Sequence, residues 1–176
     1  MRIFRRLGST IAICVLALGV ATPSSAAPKG DFEPLGDLPP QVVSACGTTL
    51  TIDEEVNRER IRVTETDTGA IIEIRGFLSI SVVAADGRSA TVNASGPITI
   101  TASATGNVVE LKGRNFTTPG NPVQAAAFAA AGLPLVALTS GPLTIREVLD
   151  PDTGELLSTS VERVPPRVVD VCTLLG

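Results

Sequence analysis

The amino-acid sequence predicts an all-β fold, an antiparallel meander of about eight strands closed or nearly closed into a barrel. Apolar and polar residues alternate with a period of two from Cys46 to the C-terminus, and short turns containing Gly or Asp separate the alternating segments. Cys46 and Cys172 lie at the two ends of this region. A bridge between them would bring the outer strands together, and closure removes exposed sheet edges. A two-sheet sandwich is the alternative.

Most of the predicted strands carry one apolar and one polar face. They cover residues 49–52, 60–66, 70–84, 88–95, 98–104, 108–112, 135–138, 143–149, 156–164 and 168–173, with a loop at 113–122. Residues 70–84 form one long strand, or two strands joined by a bend at Gly76. If the interior holds a cavity, its predicted lining is apolar: Ile72, Ile74, Leu78, Ile80, Val92, Ile98 and Ile100. A solidly packed interior fits these residues equally well.

One short helix is expected near residues 123–131, where alanine dominates and Gly132 and then Pro134 end the segment. The sequence also contains a weak repeat. Ser-Gly-Pro-Ile-Thr-Ile at 95–100 recurs as Ser-Gly-Pro-Leu-Thr-Ile at 140–145. Proline after glycine marks the start of a strand, and we prefer this interpretation to an internal duplication.

The N-terminus has the pattern of a secretory signal peptide. Arg2, Arg5 and Arg6 precede an apolar run over residues 7–21, and small residues follow it. This run is shorter than a membrane span requires, so cleavage after Ala26 is favoured over an uncleaved anchor. We therefore predict a secreted protein with no transmembrane segment after cleavage. The predicted division is a signal peptide at 1–26, a Pro/Gly-rich extended arm at 27–43 and a single β domain at 44–176.

The mature chain is acidic. Loss of the three signal-peptide arginines lowers the number of Lys and Arg residues from 14 to 11 against 18 Asp and Glu, a net charge of −7. An acidic surface disfavours nucleic acid and anionic membranes as partners, because both repel negative charge.

Cys46 and Cys172 are the cysteines that remain in the mature chain, and in an exported protein they pair by default. Two free thiols are the alternative. The spacing excludes a Cys-x-x-Cys redox motif, and two cysteines are too few ligands for a structural zinc site.

The residue types that are missing exclude several catalytic mechanisms. The chain has no His, Tyr or Trp, which rules out Ser-His-Asp and Cys-His catalysis and any His-ligated metal. We predict a non-enzymatic protein with no catalytic residue, metal or cofactor. A remote alternative is a cyclase or isomerase that uses a carboxylate inside the barrel, but Glu73 and Glu110 fall on the polar strand faces.

The tripeptide Asp-Thr-Gly occurs twice, at residues 67–69 and 152–154. Followed by Ala70, the first copy resembles the active-site loop of aspartic proteases, which pair two such aspartates around one shared proton. The family's loops follow an apolar strand, whereas both copies here follow polar residues. Asp-x-Gly is also typical of turns, so we interpret both copies as hairpin turns.

Residues 53–60 form a charged run, Asp-Glu-Glu-Val-Asn-Arg-Glu-Arg. It lacks the ligand spacing of a calcium-binding loop. We interpret it as a solvated strand edge or loop.

The order of motifs resembles a group of small exported actinobacterial proteins of unknown function. These share a signal peptide, a cysteine that opens a β-meander and a hydrophobic strand before an Asp-Gly-Arg-Ser turn, here within residues 76–95. A Gly-Arg-Asn element follows at 113–115, and an apolar-Asp-apolar-Cys ending at 169–172. The resemblance covers nearly the whole mature domain and implies no activity.

The leading functional hypothesis is a secreted, non-catalytic β-barrel-like domain that binds a small apolar ligand. The alternative is a structural or interaction protein of the cell envelope. The two hypotheses differ in partner, a small apolar molecule in the first and an envelope component in the second.

Overall fold

A computed structural model describes residues 30–176; the predicted signal peptide and its cleavage site lie outside the described residues. The all-β prediction is confirmed, since every strand pair is antiparallel and one α-helix is present in this range. In chain order the strands are β1 (Glu33–Pro34), β2 (Gln41–Ala45), β3 (Thr48–Asn57), β4 (Arg60–Thr66), β5 (Gly69–Arg75), β6 (Leu78–Ala84), β7 (Ser89–Asn93), β8 (Ile98–Ser103), β9 (Gly106–Leu111), β10 (Arg114–Thr117), β11 (Ala137–Ser140), β12 (Leu143–Leu149), β13 (Leu156–Arg163) and β14 (Arg167–Asp170). Helix α1 (Pro122–Ala130) precedes β11, and a 3₁₀ helix (Val171–Leu174) follows β14.

The strands form three antiparallel sheets. The seven-stranded sheet has the order β1-β4-β5-β8-β9-β12-β13, the four-stranded sheet β2-β3-β6-β7 and the three-stranded sheet β10-β11-β14. From β3 onward, the chain passes six times between the seven-stranded sheet and one of the smaller sheets. Each passage is a short bend between two consecutive strands. These bends fall at residues 58–59, 76–77, 94–97, 112–113, 141–142 and 164–166.

Four of these six bends contain a glycine, at positions 76, 96, 113 and 141. Gly76 separates β5 from β6, so the two-strand alternative for residues 70–84 is the correct one. Its φ of +147° and the carbonyl oxygen of Arg58, 2.4 Å from where a Cβ would lie, leave no room for a side chain. Both copies of the Ser-Gly-Pro repeat lie at bends, with Gly96 between β7 and β8 and Gly141 between β11 and β12. In both copies the Gly-Pro pair therefore lies just before a strand of the seven-stranded sheet.

Two cores hold the sheets together. The first lies between the four-stranded and three-stranded sheets and includes Leu50, Ile52, Ile80, Val82, Val92, Leu138 and Val171. The second lies between the seven-stranded sheet and the region of α1 and includes Ile100, Val109, Leu111, Leu143, Ile145, Phe128 and Leu133. Val168 of β14 packs against this second core, so the three-stranded sheet contributes to both.

The predicted barrel is not confirmed, because no sheet formed by residues 30–176 closes on itself. The bends direct neighbouring segments into different sheets, which a single meander does not allow. Two apolar layers facing each other across the first core are closer to the sandwich alternative.

Cys46 and Cys172 are bonded, with their Cα atoms 5.2 Å apart. Cys172 is on the 3₁₀ helix rather than on the strand predicted at 168–173, and Cys46 is in the turn between β2 and β3. The bond therefore joins the four-stranded sheet to the end of the three-stranded sheet. It links two layers of a core rather than two edges of one sheet.

Helix α1 covers residues 122–130, so it begins and ends one residue earlier than the predicted range of 123–131. The side-chain Oδ1 of Asn121 accepts a hydrogen bond from the backbone N–H of Gln124 at 2.9 Å, and Pro122 occupies the first turn. Part of the predicted loop at 113–122 is strand β10. Within the described range, no helix is long and apolar enough to span a membrane.

Candidate functional site

One cleft is lined by residues from all three sheets, at the place where the sheets separate. We call it the arm cleft, because residues 35–41 of the N-terminal segment form one wall. It is lined by Leu35, Leu38, Pro39, Gln41, Ile52, Asp53, Glu54, Glu59, Ile74, Leu78, Ile80, Ala94, Ile98, Asn115, Phe116 and Thr118. Its volume is about 50 Å³. Since one buried water needs about 10–15 Å³, the arm cleft holds only a few heavy atoms.

The N-terminal wall is held by backbone and side-chain contacts. β1 pairs with β4, and the backbone N–H of Leu35 donates to the carbonyl oxygen of Glu59 at 3.0 Å. The buried ring of Phe32 lies against two guanidinium groups, with the Cζ of Arg75 at 3.6 Å and that of Arg62 at 4.5 Å from the ring centroid. This segment is therefore a packed part of the structure from Phe32 onward.

Three polar side chains in the arm cleft carry the chemistry. Glu59, in the bend between β3 and β4, is only 6% exposed, and Asn115 on β10 is 1% exposed. Glu54 accepts hydrogen bonds at Oε2 from the backbone N–H of Leu38 and from Nδ2 of Asn57. Its Oε1 is buried without a partner, and so is Oδ1 of Asn115. The cleft thus contains buried acceptors that no described protein donor satisfies.

Burial, with a smaller contribution from the nearby carboxylate of Glu54, raises the pKa of Glu59 to about 7. A carboxyl group that titrates near neutral pH is typical of functional clefts, although burial alone produces the same effect.

The Glu59→Gln variant is expected to remove a pH dependence of stability. The unfolded chain ionises Glu59 near its ordinary pKa of 4.5, while the folded chain keeps the proton up to about pH 7. The free energy of unfolding of the wild type therefore falls by roughly 1–3 kcal/mol as the pH rises from about 4.5 to 7, after allowance for partial solvent access. Above pH 7 this contribution no longer changes. Urea unfolding at pH 5 and pH 8 measures the difference between the two proteins.

Glu65→Gln is the matched control, because Glu65 is exposed at the end of β4 and the charge change is the same. This control should follow the wild-type pH profile. If Glu59→Gln follows it too, burial does not perturb Glu59.

Four of the seven predicted lining residues border the arm cleft: Ile74, Leu78, Ile80 and Ile98. The other three pack elsewhere. Val92 belongs to the first core, and Ile72 and Ile100 belong to the second.

The polar members of the cleft were not predicted. The charged run at 53–60 is not uniformly solvated, since Glu59 is buried within it. Asn115 was assigned to a loop and is buried on β10 instead. No local pattern marks Glu59, because the N-terminal segment that packs over it through Leu35 is distant in sequence.

A second buried carboxyl group, Glu147 on β12, has a structural role. It is 3% exposed, and its two oxygens accept hydrogen bonds from Nδ2 of Asn107 at 2.9 Å and Nε2 of Gln124 at 2.8 Å. Gln124 is on α1, so the network fixes the helix against the seven-stranded sheet. Glu73, considered in the sequence for catalysis, forms a salt bridge with Arg62 on the neighbouring strand.

The two Asp-Thr-Gly copies lie in separate hairpin turns. The first joins β4 to β5, and the second lies between β12 and β13. β8 and β9 lie between these hairpins in the sheet, so the turns are four strand spacings apart, about 19 Å. An aspartate dyad needs side chains in contact, and this arrangement does not provide it.

Comparison with protein-family models, with curated proteins and with solved structures found no match to this chain. The resemblance to exported actinobacterial proteins stays a prediction.

Proposed function

We propose that this protein is a secreted, non-catalytic β domain that binds a small ligand in the arm cleft. The observation that carries the proposal is the pair of buried acceptors without partners, Glu54 Oε1 and Asn115 Oδ1, on residues of a cleft whose remaining lining is mostly apolar. Unsatisfied buried oxygens cost free energy, and a bound donor would remove that cost. Exposed residues at the rim, Asp53 and Pro39, leave the cleft accessible from solvent.

Two features support secretion. The N-terminal pattern is that of a cleavable signal peptide, and the Cys46–Cys172 bond is of a kind that persists in oxidising compartments. A secreted protein encounters its ligand outside the cytoplasm, so the ligand need not cross a membrane to reach the cleft.

The volume of the arm cleft limits the size of the ligand that it can hold. Pockets for drug-sized molecules have volumes of about 300–1,000 Å³, while this cleft has about 50 Å³. A whole fatty acid or steroid does not fit inside it. The ligand is a molecule, or the end of a molecule, of about three to five heavy atoms.

Fragment binding followed by ¹H–¹⁵N NMR tests the proposal. Neutral and charged molecules of up to five heavy atoms are added to the mature protein, and shifts are expected at the amides of Leu35, Leu38 and Asn115. Leu38→Ala should extend the accepted size by about three carbon atoms, because it removes three carbons from the wall. Leu157→Ala, at a leucine that is 56% exposed on β13, is the matched control and should change nothing. Absence of shifts at these amides with every fragment contradicts the proposal.

The envelope-interaction alternative has its own observation. β2 and β13 are outer strands of their sheets, and each carries a strongly exposed apolar side chain, Val42 at 68% and Leu157 at 56%. Outer strands offer unpaired backbone groups to a partner. If the protein acts through these strands, an envelope component rather than a small fragment should change the NMR chemical shifts of their backbone amides.

A further inference from the structure

We propose that the arm cleft recognises a primary ammonium group on a short aliphatic chain. This inference rests on the proposed function and specifies its ligand. The acceptors of the cleft set the charge of the ligand, and the walls and volume set its size.

The polar lining of the cleft is rich in acceptors and negative charge. Asp53, Glu54 and Glu59 are its charged residues, and the described lining contains no lysine or arginine. A primary ammonium group has three N–H donors and no acceptor, so it complements a site of this kind. Carboxylate acceptors give the stronger, charge-assisted hydrogen bonds.

Asn115 supplies an observation independent of the carboxylates. Its Nδ2 donates to the carbonyl oxygen of Lys112 at 3.0 Å, which fixes the orientation of the amide. The opposite atom, Oδ1, is buried and has no partner in a side chain that is 1% exposed and lines the cleft. The residue comes from β10, across the first core from β3, which carries Glu54. The residues that line the cleft thus bring unpartnered acceptors from two different sheets to it.

The apolar walls and the volume define the rest of the ligand. Leu35, Leu38, Ile52 and Phe116 surround the polar groups with hydrocarbon. At about 10–15 Å³ for each water-sized group, about 50 Å³ admits three to five heavy atoms. Ethylammonium to butylammonium has this size, and propylammonium is the central member.

A divalent metal ion fits the same cleft less well. Calcium takes six to eight oxygen ligands, but residues 30–176 contain no group of three or more Asp, Glu, Cys or His side chains placed to hold a metal. Hydrocarbon walls also contribute nothing to a hydrated ion, whereas they pack against an alkyl chain.

Ammonium binding is linked to the protonation of Glu59. The cation favours the ionised carboxyl group, so affinity should increase as the pH rises through about 7. The charged groups that line the cleft beside Glu59 are Asp53 and Glu54, both acidic, and neither opposes this direction.

NMR titration of the mature protein with propylammonium and with 1-propanol tests the inference. The two molecules have the same size, and only propylammonium is charged. At pH 8 propylammonium should bind about tenfold or more tightly than 1-propanol. Glu59→Gln should weaken propylammonium about tenfold and leave 1-propanol unchanged, while the exposed control Glu65→Gln should change neither. Propylammonium should also bind more weakly at pH 6 than at pH 8.

The outcomes separate the two proposals. Equal affinity for both molecules overturns the ammonium inference and leaves the ligand-binding function standing. Calcium chloride that shifts the same amides at a lower concentration than propylammonium also overturns the inference, in favour of a metal. If neither these probes nor any other small fragment shifts the cleft amides, water alone fills the cleft and both proposals fail.

Discussion

Removal of the Cys46–Cys172 bond lowers the free energy of unfolding by roughly 4–5 kcal/mol in the chain-entropy treatment of a loop this long. The bond spans 126 positions, so it restricts the unfolded chain strongly. It also joins the two layers of the first core, which ordinary side-chain contacts must otherwise hold together. Denaturant unfolding of the oxidised and reduced protein measures the loss.

The choice of replacement for Cys46 matters because its φ is +57°, a conformation that most residues avoid. Cys46 and Gly47 form the two-residue turn between β2 and β3, and both have positive φ. A double variant with Cys46→Asn and Cys172→Ala should therefore be about 1 kcal/mol more stable than one with alanine at both positions, since asparagine tolerates this conformation.

Alkylation provides the independent check. The unreduced mature protein should bind no thiol reagent. Labelling of two thiols, or a Cys46→Asn, Cys172→Ala double variant as stable as the wild type, would show that the bond does not contribute.

Gly76→Ala is expected to destabilise the protein by about 3 kcal/mol or more, from steric overlap added to backbone strain. The new Cβ would lie 2.4 Å from the carbonyl oxygen of Arg58 and 2.6 Å from the Cα of Glu59. Both neighbours are backbone atoms, so no side-chain rotation relieves the overlap. The backbone at 58–59 must move, and with it the carboxyl group of the arm cleft.

Gly87→Ala separates the two causes. Gly87 also has a positive φ, +88°, but no atom lies within 4 Å of its Cβ position. This variant should lose only about 1–2 kcal/mol, the cost of the conformation itself. Equal losses at both positions, measured by urea unfolding, would mean that the close approach at the bend is unimportant.

Much of the fold follows from local patterns. The two-residue alternation predicted strands such as β8 and β12, and the alanine run before Gly132 predicted α1 within one residue at each end. Turn geometry at both Asp-Thr-Gly copies was also predicted, since the residues of a tight turn are adjacent in sequence.

The candidate site was only half predictable. Ile74 and Leu78 border the cleft because they alternate on an apolar face, and alternation is visible in the sequence. Glu59 looked solvated because its neighbours in sequence are charged. It is buried because it lies in a bend over which the N-terminal segment packs, and that packing is a non-local contact.

The sequence by itself determined an acidic, antiparallel β protein without histidine, because composition and period-two alternation are local properties. The tertiary structure decided how the strands divide among three sheets and which carboxyl groups are buried. The physical reason is that a bend at Gly76 looks in sequence like an interruption of one strand, while in space it sends each half to a different layer. Where those layers separate, the arm cleft forms with unsatisfied oxygens inside.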